Sequence, residues 1–166
     1  MKKYLAIVLA CMMALSLAAC GAQQASEQVD VVSTPSTYTN KYTNLDQAAV
    51  MDAIAAYSGV SVVATTNADG TPNIAILTPG TAGDSHIVFN LAPNTSKENI
   101  LRDKVAEMIF DQNNPAAETK EERHKGAMLR LELEEDADVI AELADGNDYI
   151  NDGSLVCRVV EVLPVG

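Results

Sequence analysis

Gly59-Val-Ser-Val-Val-Ala-Thr-Thr-Asn-Ala-Asp-Gly-Thr-Pro-Asn-Ile-Ala-Ile-Leu77 holds two β-rich runs separated by turn residues. Its apolar and β-branched positions place strands over Val60–Thr66 and Asn73–Thr78. Asp69-Gly70 supplies the left-handed turn residue between them, and Pro72 closes the corner. Downstream, His86–Leu91 reads as a third strand, Thr95–Arg102 as a short helix and Val105–Phe110 as a fourth strand.

Upstream, Val50, Ala53, Ile54 and Tyr57 recur at helical spacing and form one apolar stripe of a helix over Leu45–Ser58. Asn44 is placed to cap its start, and Gly59 to stop it in the left-handed conformation. After a charged connection comes the clearest alternation in the chain. Ala127, Leu129, Leu131 and Leu133 face one way, and Met128, Arg130, Glu132 and Glu134 the other, as in a strand with one buried and one wet face. Asp136–Asp145 reads as an amphipathic helix and Leu155–Leu163 as the last strand. Hairpin-linked strands with three interspersed helices predict a mostly β protein. The expected form is a six-stranded antiparallel β-barrel with peripheral helices, because closure protects strand edges.

The chain opens differently. Lys2 and Lys3 precede an apolar run from Leu5 to Leu17, and Leu17-Ala18-Ala19-Cys20-Gly21 follows. That is the pattern of a bacterial lipoprotein signal peptide over residues 1–19, with an ordinary secretory signal and an incidental cysteine as the alternative. Residues 20–44 then read as a lipidated Cys20 and a polar, flexible tether, and residues 45–166 as the domain. The expected location is extracytoplasmic, with attachment to a bacterial membrane through the lipid on Cys20.

The formal net charge of the chain is −12, and losing the signal's lysines makes the remainder more acidic. Such a surface repels nucleic acid. Of the three cysteines, Cys11 leaves with the signal and Cys20 is lipidated. Only Cys157 remains, in an apolar strand where a small buried hydrophobe is expected. No internal disulfide follows from this usage.

Chemistry concentrates at Asn94-Thr95-Ser96-Lys97-Glu98-Asn99. Thr95 with Glu98 forms a capping box, which requires no ligand. Lys97 is harder to explain that way, since a cation in the first helical turn opposes the helix dipole. Free N–H groups, hydroxyls and one ammonium at a helix start make a phosphate site, so both readings stand. His86 and His124 lack neighbours at metal-ligand spacing, and the Asp145–Gly153 acidic stretch lacks the oxygen pattern of a calcium loop. No nucleophile-base arrangement can be assembled.

The hairpin and the His86–Phe110 block together resemble the N-terminal half of the FMN-binding split barrels, the superfamily of pyridoxamine 5'-phosphate oxidase. The element order matches over about residues 45–164. The resemblance implies a split barrel that binds FMN, with FAD or a deazaflavin as other candidates. It implies that Thr95, Ser96 and Lys97, with Asn99 on the same helix, hold the phosphate. It also implies that the backbone of Asn73, Ile74, Ala75, Ile76, Leu77 and Thr78 lies along the flavin ring, and that the ring sits at a homodimer interface.

Two departures matter. Ala75 stands where the oxidases carry an arginine, and the chain has no tryptophan. Oxidation of pyridoxamine phosphate is therefore not expected. The expectation is hydride or electron transfer through FMN, making the chain a candidate oxidoreductase. The rival is a flavin-free split-barrel lipoprotein that binds a ligand or a protein.

Overall fold

The computed structural model describes residues 42–57 and 59–165. The expected signal peptide, Cys20 and the expected tether up to residue 41 lie outside them. The elements are β1 (Thr43–Asn44), α1 (Gln47–Ala55), β2 (Ser61–Thr66), β3 (Pro72–Leu77), β4 (Gly80–Ala82), β5 (His86–Phe89), α2 (Thr95–Asp103), β6 (Val105–Asn113), α3 (Lys120–Arg123), β7 (His124–Leu133), α4 (Ala137–Ala144) and β8 (Leu155–Leu163).

The β2–β3 hairpin turns where its sequence predicts. Gly70 takes φ +82°, a conformation open to glycine, and the Asp69 side chain accepts from the Thr71 amide at 3.0 Å. The strands pair antiparallel from Ser61 opposite Leu77 to Thr66 opposite Pro72. The main sheet then runs β3-β2-β6-β7-β8-β5-β4 and curls into a half-barrel, and β1 joins beside β7 in parallel. This is the expected mostly β class with more strands than the expected six. The additions are short. β4 occupies what reads as a connector, and β1 occupies the end of the stretch read as tether.

The helix limits also shift. α1 is capped by Asp46, whose side chain accepts from the Ala49 amide, and not by Asn44. It ends at Ala56 in right-handed geometry, so Gly59 does not stop it. At α2 the cap is Asn94, which accepts from the Lys97 amide, so Thr95 is the first helical residue and not a capping-box residue. At both N-termini another side-chain acceptor stood within two residues of the predicted one.

The concave face of the sheet carries one core. Val63, Phe89, Met108, Phe110, Leu129 and Leu131 are buried there, each contributing about 1.5–3 kcal/mol of transfer free energy. α1 adds Val50, Met51 and Ile54, and α2 adds Ile100. On the convex face, α4 covers Ala82, Val88 and Val156 with Ile140 and Leu143.

Elsewhere on the convex face, no helix among the described residues packs over the strands. There, strand register lines up Ile76, Val62, Ile109, Met128 and Leu163 across β3, β2, β6, β7 and β8. Ile76 is 69% exposed in this row. A neighbouring rung sets Glu107, Arg130 and Glu161 side by side, with Arg130 bridging both carboxylates.

Candidate functional site

β3 ends the strand path and, among the described residues, pairs only with β2, so along its outer edge the backbone N–H and C=O groups have no strand partner among them. The period-2 pleat divides its side chains. Ile74 and Ile76 point to the convex face and are exposed, Leu77 is buried, and Asn73 and Ala75 are partly buried. Thr78 follows the strand and its carbonyl accepts from the Tyr149 hydroxyl at 3.4 Å. The segment Asn73–Thr78 is therefore an accessible edge of the kind needed for backbone recognition of a planar heterocycle.

The start of α2 lies directly against this strand. Asn73 Nδ2 donates to Ser96 Oγ at 3.0 Å, joining residues that are 23 apart in sequence. The four helical residues singled out from sequence then take different roles. Thr95 is exposed, and no acceptor or donor for its hydroxyl occurs among the described residues. Ser96 is buried and its oxygen is occupied by Asn73. Asn99 is 2% exposed and points into the fold. Lys97 donates from Nζ to the carbonyls of Leu91 at 3.1 Å and Gly153 at 2.8 Å. Those carbonyls offset the conflict between its charge and the helix N-terminus, and one of its three N–H donors is left over.

Sequence reasoning missed the polar cluster behind these residues. Thr65 Oγ1 accepts from both Asn73 and Asn99, Asn99 also donates to Asn67 Oδ1, and Arg102 donates from Nη1 to Asn99 Oδ1. Arg102 further donates to the Thr66 carbonyl and grips Asp103, which holds the Asp103 carboxyl below its usual range. A signal for this was present. Thr65 shares the buried face of β2 with Ser61 and Val63, and a polar residue on an inward face calls for buried partners, although Ser61 Oγ has none among the described residues. A second cluster ties the loop before α2 to the turn before β8. Asn90 donates to the Tyr149 carbonyl at 2.7 Å and accepts from Asn151 and Ser154.

Other reactive side chains are settled elsewhere. Burial alone pushes the Cys157 thiol up to about 12, so it stays protonated and unreactive. His86 Nε2 lies 3.6 Å from Glu134 Oε2. The Asp136 amide, ahead of His86, is the main reason that carboxyl sits below its usual range. His124 bonds Asp111 at 2.7 Å, and the Tyr42 ring packs against it at 4.7 Å with a 60° tilt. Among the described residues no group of three or more His, Cys, Asp or Glu side chains could hold a metal ion, and no helix is long and apolar enough to cross a membrane. Two hollows of about 440 and 430 Å³ lie beside the β4–β5 turn, and none of the sequence-predicted site residues lines either.

No protein-family model matches the chain, and no curated protein does. Solved structures do. An FAD-binding protein from Mycobacterium smegmatis superposes with a TM-score of 0.52 at 14% identity, over 72% of this chain and 93% of that one. A conserved hypothetical protein from Mycobacterium tuberculosis gives 0.50 at 13% identity, over 75% and 85%. An FMN-binding protein from Syntrophomonas wolfei subsp. wolfei gives 0.49 at 18%, over 72% and 84%. At such identities the likeness is one of fold.

Proposed function

We propose that this chain, which has the split-barrel fold, binds a flavin, with FMN the form its donors suit best. The observation that carries the reading is the Asn73–Ser96 hydrogen bond, which brings the two separately predicted halves of the site together. β3 offers the free backbone edge for the ring. The start of α2 offers the Thr95 hydroxyl, the first helical amides and the spare Lys97 donor for a phosphate, a donor set of the right chemistry for a dianion. Ser96 and Asn99 serve from behind, through the fold.

When bound, the flavin supplies hydride or electron transfer through its ring. This chain's residues hold and orient it. No side chain beside β3 or the start of α2 is poised as a general acid or base, which favours electron transfer to a docked acceptor over specialised catalysis. The Ile76–Val62–Ile109–Met128–Leu163 row, exposed at its first three members and partly so at the last two, supports a homodimer, since a second copy would cover both that row and a ring lying along β3. Lipidation of Cys20 would keep the protein at an extracytoplasmic membrane surface.

Titrating FMN into the full chain, purified in mild detergent, tests the reading. Saturable quenching of flavin fluorescence is the expected result. A chain that ignores FMN, FAD and a deazaflavin alike sinks it and favours the flavin-free binding lipoprotein. Lys97→Met keeps the aliphatic stem and removes the charge. It is expected to weaken FMN binding by roughly ten- to a hundredfold, the cost of a charge-assisted hydrogen bond. Riboflavin, which has no phosphate, should bind the variant and the parent alike.

A further inference from the structure

Thr65 is 8% exposed on the inward face of β2. Its hydroxyl oxygen accepts from Asn73 Nδ2 and from Asn99 Nδ2, each at 3.0 Å. Asn73 belongs to β3 and passes a second bond to Ser96 in the first turn of α2, at 3.0 Å. Asn99 belongs to α2 and passes its second bond to Asn67 at the end of β2, at 3.1 Å. A single hydroxyl thus stands at the junction of three elements.

We propose that Thr65 is a positioning residue of the flavin site, holding the ring strand β3 and the phosphate-binding start of α2 at one fixed separation. The inference rests on the flavin reading above. Its physical basis is the difference between polar and apolar contacts. Hydrophobic packing between β2, β3 and α2 would stabilise their association, yet it tolerates sliding. A hydroxyl shared between two amides is directional, and it loses the bond to whichever element shifts. β3 has particular need of this, because a strand neighbour restrains it on one side only. A ligand with a ring at one end and a phosphate at the other must meet both places at once. The gain from its second contact depends on how well the two places are spaced before it arrives.

Thr65→Val tests this, because it replaces the hydroxyl by a methyl group of the same shape and keeps the β-branching of a strand residue. FMN and riboflavin are each titrated by fluorescence quenching into the full chain and into the variant. FMN affinity is expected to fall roughly tenfold, on the scale of one net hydrogen bond, while riboflavin affinity changes by less than about twofold. Thr65→Ser, which keeps the acceptor, should restore the preference for FMN. Should Thr65→Val fail to fold, Thr65→Ala removes the same acceptor with a smaller side chain and carries the same expectation. A role limited to stability would lower the melting temperature and weaken both ligands equally; equal losses, or none, overturn the proposal. The parent chain separates the two levels of inference. If it binds riboflavin as tightly as FMN, the phosphate assignment fails and the positioning role fails with it. If it prefers FMN and the variant keeps that preference in full, the positioning role alone is wrong.

Discussion

Gly126→Ala is expected to lower the free energy of unfolding by about 3 kcal/mol, the upper range for forcing an extra carbon into a packed interior. Gly126 is buried in β7 opposite Asp111 of β6. A Cβ there would lie 1.9 Å from the Phe110 carbonyl oxygen and 3.0 Å from the Asp111 Cα, both backbone atoms. β6 cannot give way easily, because Phe110 is buried in the core with the Tyr57 ring edge-on at 5.6 Å. β7 cannot retreat the other way either. On that side Asn44 of β1 stands opposite Gly126, and the Leu45 amide donates to the Gly126 carbonyl at 2.9 Å. Gly70→Ala is the natural control. Its site has nothing within 4 Å but a φ of +82°, so only the left-handed strain of about 1 kcal/mol applies. Urea unfolding of both variants reads the difference as a shift in midpoint at constant slope. Equal midpoints for the two would mean that the strands do not approach so closely at residue 126.

Ile76→Arg is expected to turn the proposed dimer into a monomer. Ile76 is 69% exposed and opens the apolar row that continues through Val62, Ile109, Met128 and Leu163. In a symmetric dimer each substitution counts twice, removing two apolar contacts and inserting two charges into a desolvated surface. The dissociation constant should therefore rise by at least about a hundredfold. Because the row faces outward, the monomer should keep its fold and its melting temperature. Sedimentation equilibrium of the parent and the variant decides. Leu101→Arg, at a position 45% exposed on α2 and outside the row, should leave the assembly unchanged. A variant at residue 76 that still dimerises would place the interface elsewhere, and a parent that is monomeric would remove the dimer altogether. Flavin affinity read on the same samples would show whether the second copy helps cover the ring.

How far these elements could be read beforehand depended on the range of the interaction that sets them. The β2–β3 turn and the alternation of β7 depend on neighbours within a few residues and stand where the pattern put them, whereas α1 keeps Val50, Ala53 and Ile54 of its stripe but ends before Tyr57, which is exposed. The caps shifted because two suitable residues lay within two positions of each other. Asp46 outcompeted Asn44, and Asn94 outcompeted Thr95. β4 has three residues, too few for a period, and exists because β5 offers it an edge. β1 exists for a similar reason, since β8 pairs β7 only from Met128 onward and leaves the start of β7 open. At the site, Thr95, Ser96, Lys97 and Asn99 were equivalent as a string of donors. Their division into one outward hydroxyl, two internal anchors and a lysine shared with two carbonyls depends on where β2, β3 and the turn at Gly153 lie.

By itself the sequence determined the class of this protein: a mostly β domain with peripheral helices, a hairpin turning at Asp69-Gly70 and a polar helix start at Thr95. Those follow from side-chain period, backbone preference and local hydrogen bonding, all of which act within a turn or two. Only the tertiary structure decided that β3 would be an edge strand, that the start of α2 would bond to it, and that an apolar row would be left uncovered on the convex face. Each of these depends on which distant segments meet. Pairing between distant strands is driven by burying one common core, and no residue's own chemistry specifies its partner across the sheet.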